Sequence, residues 1–180
     1  MKVVIIGKGE MLSNLIEGTI DGGCEIVGVL RYERTKLPKF VLAVRDFFKS
    51  SPDVTIIKQH KIHEIKCKSV NSEAFKKEVL KLNADVILVG TWAEKIKQDV
   101  INMPVIACVN VHPSFLPKYR GPNPYLQTIL HQESKSGITF HLMNDEFDKG
   151  AIVAQKEIPI FPNDTSKELK ERTVFQARLM

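Results

Sequence analysis

Met103-Pro104-Val105-Ile106-Ala107-Cys108-Val109 runs into Asn110-Val111-His112-Pro113-Ser114-Phe115-Leu116-Pro117, with Lys118-Tyr119-Arg120-Gly121 directly after it. The first seven residues are mostly apolar and partly β-branched, which predicts a strand. Side chains alternate along a strand, so Asn110 and His112 project on one side near its carboxyl end, and Cys108 shares their parity. Pro113 has no amide N–H to donate, so regular pairing stops where the two polar side chains emerge. In an open α/β sheet, ligands bind at the carboxyl ends of the strands. A carboxamide and an imidazole spaced in this way can both address one developing oxyanion. They can equally do no more than satisfy loop backbone groups.

Outward from this stretch, strand-like and helix-like segments alternate. Residues 3–7 are an apolar run ended by Gly7-Lys8-Gly9, and Met11-Leu12-Ser13-Asn14-Leu15-Ile16 begins a helical pattern. Strand, glycine turn and helix suggest a nucleotide-binding opening. Leu12 stands where the third glycine belongs, however, and Arg31 rather than an acid follows the second strand at 25–30. A plain tight turn is the preferred reading. Arg31-Tyr32-Glu33-Arg34-Thr35-Lys36-Leu37-Pro38-Lys39 is a basic loop, read as solvated surface in preference to a phosphate contact. Residues 40–48 are apolar at helical spacing, and Ser51-Pro52-Asp53 breaks that pattern ahead of Val54-Thr55-Ile56-Ile57.

Asn71 is expected to cap a helix whose buried stripe is Phe75, Val79 and Leu82. Residues 85–90 form a strand whose exit, Thr91-Trp92-Ala93-Glu94-Lys95-Ile96, is expected beside the exit at Asn110. Trp92, the single tryptophan, can cover the core edge there or wall a flat heterocycle. Pro122-Asn123-Pro124 opens a helix, 136–143 and 151–160 are strands, and Thr165-Ser166-Lys167-Glu168 is a capping box that starts a last helix. The alternation predicts an α/β fold with a mostly parallel sheet and helices on both faces.

With 180 residues and 43% hydrophobic content, the chain can bury one sizeable core, and no repeat or internal linker divides it. No run is long enough for a membrane span, and the N-terminus lacks a signal peptide's basic and apolar regions. Cys24, Cys67 and Cys108 are widely separated, so the expectation is free thiols and a cytoplasmic location. His60, His63 and Cys67 make an incomplete ligand set, and no metal is expected. The net charge of +5 suits an anionic partner without selecting one.

The central stretch, followed by Gly137-Ile138-Thr139-Phe140-His141 and Asp148-Lys149-Gly150, resembles the folate-dependent formyltransferases. Members of that family act on methionyl-tRNA, glycinamide ribonucleotide and nucleotide-linked amino sugars. The resemblance covers residues 1–180 as a single catalytic domain with the Rossmann-like formyltransferase fold. It implies transfer of a formyl group from 10-formyl-tetrahydrofolate to a primary amine, with methionyl-tRNA the leading acceptor and a nucleotide sugar the alternative. Glycinamide ribonucleotide, or water in a hydrolase, ranks lower.

By the same resemblance Asn110, His112 and Asp148 are the catalytic residues. Asn110 and His112 would donate to the oxyanion, and Asp148 would orient His112 and receive the amine proton. Gly150 is expected to let the backbone turn around that carboxylate. The reduced folate would lie against Trp92, Ala93 and Lys95, the loop bearing Asn144 and Asp145, and Ser114, Phe115, Leu116 and Pro117. His141 matches a histidine that some members lack, and it is read either as part of the site or as a satisfied strand residue. Cys108 is read as a buried structural thiol.

Departures concern the acceptor. Where the tRNA-acting members have small residues after Arg120-Gly121, this chain has Pro122-Asn123-Pro124-Tyr125, and its basic loop is shorter than their insertion. The last helix carries no stop signal, so the expectation is a chain cut before a C-terminal domain or final helices. The oligomeric state is left open. Two other classes remain: a nucleotide-binding oxidoreductase or sensor, and a non-catalytic RNA-binding module.

Overall fold

A computed structural model describes residues 1–32 and 51–180. Arg34, Lys36 and Lys39 of the basic loop and the helical pattern at 40–48 lie outside the described residues.

Alternation in the first strand sets the architecture. In β1 (Lys2–Gly7), Val3 and Ile5 belong to one buried cluster, Val4 and Ile6 to another on the opposite face. A strand apolar on both faces must be covered on both. Helices α1 (Gly9–Asp21), α2 (Pro52–Gln59) and α6 (Ser166–Arg178) supply the first cover, through Leu12, Ile16, Ile57, Leu169 and Val174. Helices α3 (Glu73–Leu82) and α4 (Gln98–Ile101) supply the second, through Phe75, Val79 and Val100.

Between the two layers lies one six-stranded sheet of order β2-β1-β3-β4-β5-β6. β2 (Glu25–Arg31), β1, β3 (Val86–Gly90) and β4 (Ala107–His112) are parallel; β5 (Lys135–Leu142) and β6 (Ile152–Pro159) continue it antiparallel. The exits of β3 and β4 are adjacent, with Val89 opposite Asn110 and Gly90 opposite Val111. Gly7 and Gly90 are also paired, and a Cβ on Gly7 would lie 2.3 Å from the Gly90 carbonyl oxygen. Glycine there lets the two strand ends close up where the sheet meets its ligand-facing edge.

Several boundaries differ from expectation. β4 starts at Ala107, not Met103, because Pro104 donates no N–H and Val105 and Ile106 lie in the entry turn, 71% and 66% exposed. Apolar β-branched residues there do not signify pairing. Ser51-Pro52-Asp53 is not a break but a helix start: Pro52 occupies the first turn of α2, where a missing N–H costs nothing. The cap of α3 is Ser72, whose Oγ accepts from the Phe75 amide, not Asn71. The capping box of α6 forms as expected, between Thr165 and Glu168. Among the described residues no helix is long and apolar enough to cross a membrane.

Candidate active site

β4 and β5 lie antiparallel with Asn110 opposite His141 and His112 opposite Thr139, so the side chains of Asn110, His112 and His141 emerge together. Asp148 reaches them from the loop after β5, in the left-handed region at φ +53°. Gly121 N–H donates to Asp148 Oδ2 at 2.9 Å, and Arg120 Nε–H donates to its backbone carbonyl at 3.0 Å. Gly150 has a different role from the expected turn. A Cβ on it would sit 1.6 Å from the Leu142 carbonyl oxygen, so its bare Cα lets this loop fold back against the end of β5.

Asp148 is the hub. Asn110 Nδ2 donates to Asp148 Oδ1 at 3.3 Å and to His141 Nε2 at 3.0 Å. His112 Nδ1 stands 3.4 Å from Asp148 Oδ2, and His141 Nε2 stands 3.5 Å from Oδ1. The carbonyls at the far side of each ring decide the tautomers, since a carbonyl only accepts. His112 Nε2–H donates to the Tyr119 carbonyl at 2.8 Å, which leaves Nδ1 as a lone pair toward Asp148 when the ring is neutral. His141 Nδ1–H donates to the Leu142 carbonyl at 2.9 Å, so its neutral Nε2 accepts from Asn110.

Burial pushes the His112 pKa below its ordinary value of 6.5, outweighing the Tyr119 carbonyl and the Asp148 charge, which pull it up. For Asp148, burial alone would raise the carboxyl. The hydrogen bond from His141, the charge of His112 and the Gly121 N–H together hold it below the usual carboxylate value. The resting site is a carboxylate facing an imidazole lone pair, a pair ready to take one proton.

This group forms part of the lining of a cavity of about 660 Å³. The exit loop of β3 walls it with Thr91, Trp92, Ala93 and Lys95, and the loop after β5 with Asn144, Asp145 and Phe147. Trp92 fills both roles open to it: it packs against the core and lines the cavity, its ring edge-on to Tyr32 at 4.9 Å between centroids. Thr91, Asn123 and Asp148 line the cavity with φ of +57°, +57° and +53°, strained for residues with a side chain.

The structure does not bring Ser114, Phe115, Leu116 and Pro117 into this cavity. Ser114 is buried, its Oγ–H donating to the Lys118 carbonyl and its own carbonyl accepting from Thr139. Leu116 is buried with its amide on Thr139 Oγ1, and Phe115 packs where a Gly137 side chain would be. After Pro113 the chain turns under the sheet edge, which sequence spacing cannot show. Lys8, Tyr32 and Tyr125 line the cavity without having been singled out, because they come from strand and helix ends distant in sequence. Tyr119 and Gly121 also serve the site through backbone atoms, which carry no sequence signature.

Gly7-Lys8-Gly9 is a strand-to-helix turn whose anion position is already filled. Asp53, 3% exposed in the first turn of α2, accepts the Gly9 N–H at 3.0 Å with its Oδ2. A carboxylate at the α1 N-terminus occupies the place a dinucleotide phosphate would need. Cys108 is buried 3.5 Å from the Met143 sulfur, and burial pushes its thiol up to about 12, so it is inert. His63 is paired with Glu78 at 3.1 Å, and no group of metal-ligating side chains occurs among the described residues.

A profile of the family described as formyl transferase matches residues 1–179. The chain belongs to the formyl transferase family. This formyl transferase chain is 29% identical over 174 residues to a methionyl-tRNA formyltransferase of Thermotoga sp. strain RQ2, covering 97% of this chain and 54% of the relative. It is 34% identical over 176 residues to the methionyl-tRNA formyltransferase of Ehrlichia canis strain Jake, covering 96% and 56%. It thus spans about half the length of the curated relatives it matches.

In fold it is similar to glycinamide ribonucleotide transformylase 1 from Symbiobacterium toebii, with a TM-score of 0.80 at 15% identity over 100% of this chain and 83% of that one. A sugar N-formyltransferase from Shewanella sp FDAARGOS_354 gives a TM-score of 0.68 at 24% identity, covering 99% and 65%. The mostly parallel formyltransferase fold expected from the sequence is the one observed.

Proposed function

We propose that the protein transfers a formyl group from 10-formyl-tetrahydrofolate to a primary amine, with methionyl-tRNA as the acceptor. The observation that carries this reading is Asp148, a buried carboxylate joined to Asn110 and facing the His112 lone pair at the cavity wall. Amine attack on the formyl carbon forms a C–N bond and a tetrahedral oxyanion. Asn110 Nδ2 is the donor for that oxygen, which would replace its longer contact, the 3.3 Å one to Asp148.

The ammonium proton passes to the Asp148–His112 pair, directly or through water. Collapse then breaks the bond to the folate nitrogen, which takes a proton and leaves as tetrahydrofolate. With its Nε2–H committed to Tyr119, His112 acts in this scheme through its pairing with Asp148, not as a free oxyanion donor.

The donor fits two features of the cavity. Its wall carries an aromatic ring whose Nε1–H, in Trp92, has no partner among the described residues. Its apolar lining suits a flat heterocycle. Family membership supports the chemistry, and sequence similarity to methionyl-tRNA formyltransferases supports the acceptor. A cytoplasmic location belongs to the same proposal, since free thiols at Cys24, Cys67 and Cys108 are what a reducing compartment maintains.

Single-turnover assays with 10-formyl-tetrahydrofolate and methionyl-tRNA test the proposal, with formyl-methionyl-tRNA the expected product. Transfer to a nucleotide-linked amino sugar instead would replace the acceptor and keep the chemistry. Absence of transfer to any amine would overturn both.

A further inference from the structure

The loop from Thr91 to Lys97, between β3 and α4, walls the cavity without the support of regular structure. Among the described residues, the backbone groups of Trp92, Ala93, Glu94 and Ile96 make no backbone–backbone hydrogen bond. Its shape is imposed from outside, by Asn71.

Asn71, in the turn before α3, spends its whole carboxamide on this loop. Nδ2 donates to the Lys95 carbonyl at 2.9 Å and to Glu94 Oε1 at 2.9 Å, while Oδ1 accepts the Lys97 N–H at 2.8 Å. Gripping the carbonyl of one residue and the amide two positions on is what a neighbouring strand would do. Glu94 completes the clamp from the loop side, accepting from Ser69 Oγ–H and, at 3.2 Å, from the Val70 N–H. Beneath these bonds Val70 and Ile96 are both buried in one apolar cluster. The Glu94 carboxylate is therefore turned to the loop's own support, although the residue borders the cavity.

We infer that Asn71 is a positioning residue for the formyl donor: with Glu94 it holds the 91–97 loop so that its unpaired backbone groups present a fixed edge to the folate heterocycle. This rests on the formyl-transfer reading above. A preorganised edge lowers the cost of binding, and the loss appears in donor affinity rather than in the chemical step.

The test titrates tetrahydrofolate against the intact chain, read by fluorescence of Trp92, the single tryptophan, which sits on the clamped loop. Asn71→Ala is expected to raise the Kd about tenfold, a factor that roughly one good hydrogen bond's worth of preorganisation supplies. In transfer assays the KM for the donor should rise with kcat nearly unchanged. The double variant Asn71→Asp/Glu94→Gln exchanges donor and acceptor across the clamp and is expected to bind more tightly than Asn71→Asp alone.

Amide hydrogen exchange at Ala93 to Lys97, without ligand, should accelerate in Asn71→Ala. Equal folate affinity in wild type and Asn71→Ala, or unchanged exchange in the loop, overturns the inference and leaves formyl transfer standing. Absence of folate binding by the wild type overturns the transfer reading and this inference with it.

Discussion

Asp148 Oδ2 lies 3.4 Å from His112 Nδ1, with the two side chains 11% and 7% exposed. The distance is that of a proton-sharing pair, and the Tyr119 carbonyl on the other ring nitrogen fixes which lone pair faces the acid. The pair is buried, so its interactions are screened little by salt.

Removing either end of the proposed centre should cost rate and little stability. Asn110→Ala and Asp148→Asn are each expected to lower single-turnover transfer by about a hundredfold or more. Melting curves should show both variants folded. Near-normal transfer by either one removes that residue from the mechanism.

The pH dependence has a definite sign. The folded pKa of His112 is below its ordinary 6.5, so the unfolded chain takes up that proton first as pH falls. Stability from this group is intact above 6.5 and is lost as pH drops toward the lowered folded value. Asp148 acts with the same sign from its ordinary 3.8 downward. Urea midpoints should therefore fall on acidification in wild type, with a shallower slope in His112→Asn across the upper window. Equal slopes would mean that His112 titrates as in the unfolded chain.

Asp53 tests the glycine turn. Asp53→Ala removes a buried carboxylate from the Gly9 N–H and is expected to destabilise the chain by about 1–2 kcal/mol, the range for lost helix caps. NAD and NADP should leave the wild-type melting temperature unchanged, because the α1 N-terminus already holds an anion. A saturable dinucleotide-dependent rise would contradict that assignment.

Gly150→Ala should be among the more damaging methyl additions available. Its Cβ would meet the Leu142 carbonyl at 1.6 Å, so the backbone must move. Destabilisation of about 1–3 kcal/mol is expected, with transfer lost besides, since the same loop carries Asp148. A folded variant with full transfer would show that the loop tolerates the shift.

What the sequence determined was local. The period-two apolar pattern of β1, the stop at Pro113 and the shared parity of Cys108, Asn110 and His112 follow from backbone geometry. The Thr165–Glu168 capping box is likewise a contact between near neighbours. Tertiary structure decided whatever depends on meeting across distance. It carried Asp148 to Asn110, 38 positions away, and turned Ser114 to Pro117 away from the cavity. It also gave the cap of α3 to Ser72 and freed Asn71 to hold a loop that begins twenty residues later at Thr91. A side-chain amide serves a cap or a distant loop equally well, and only packing fixes which partner lies within reach.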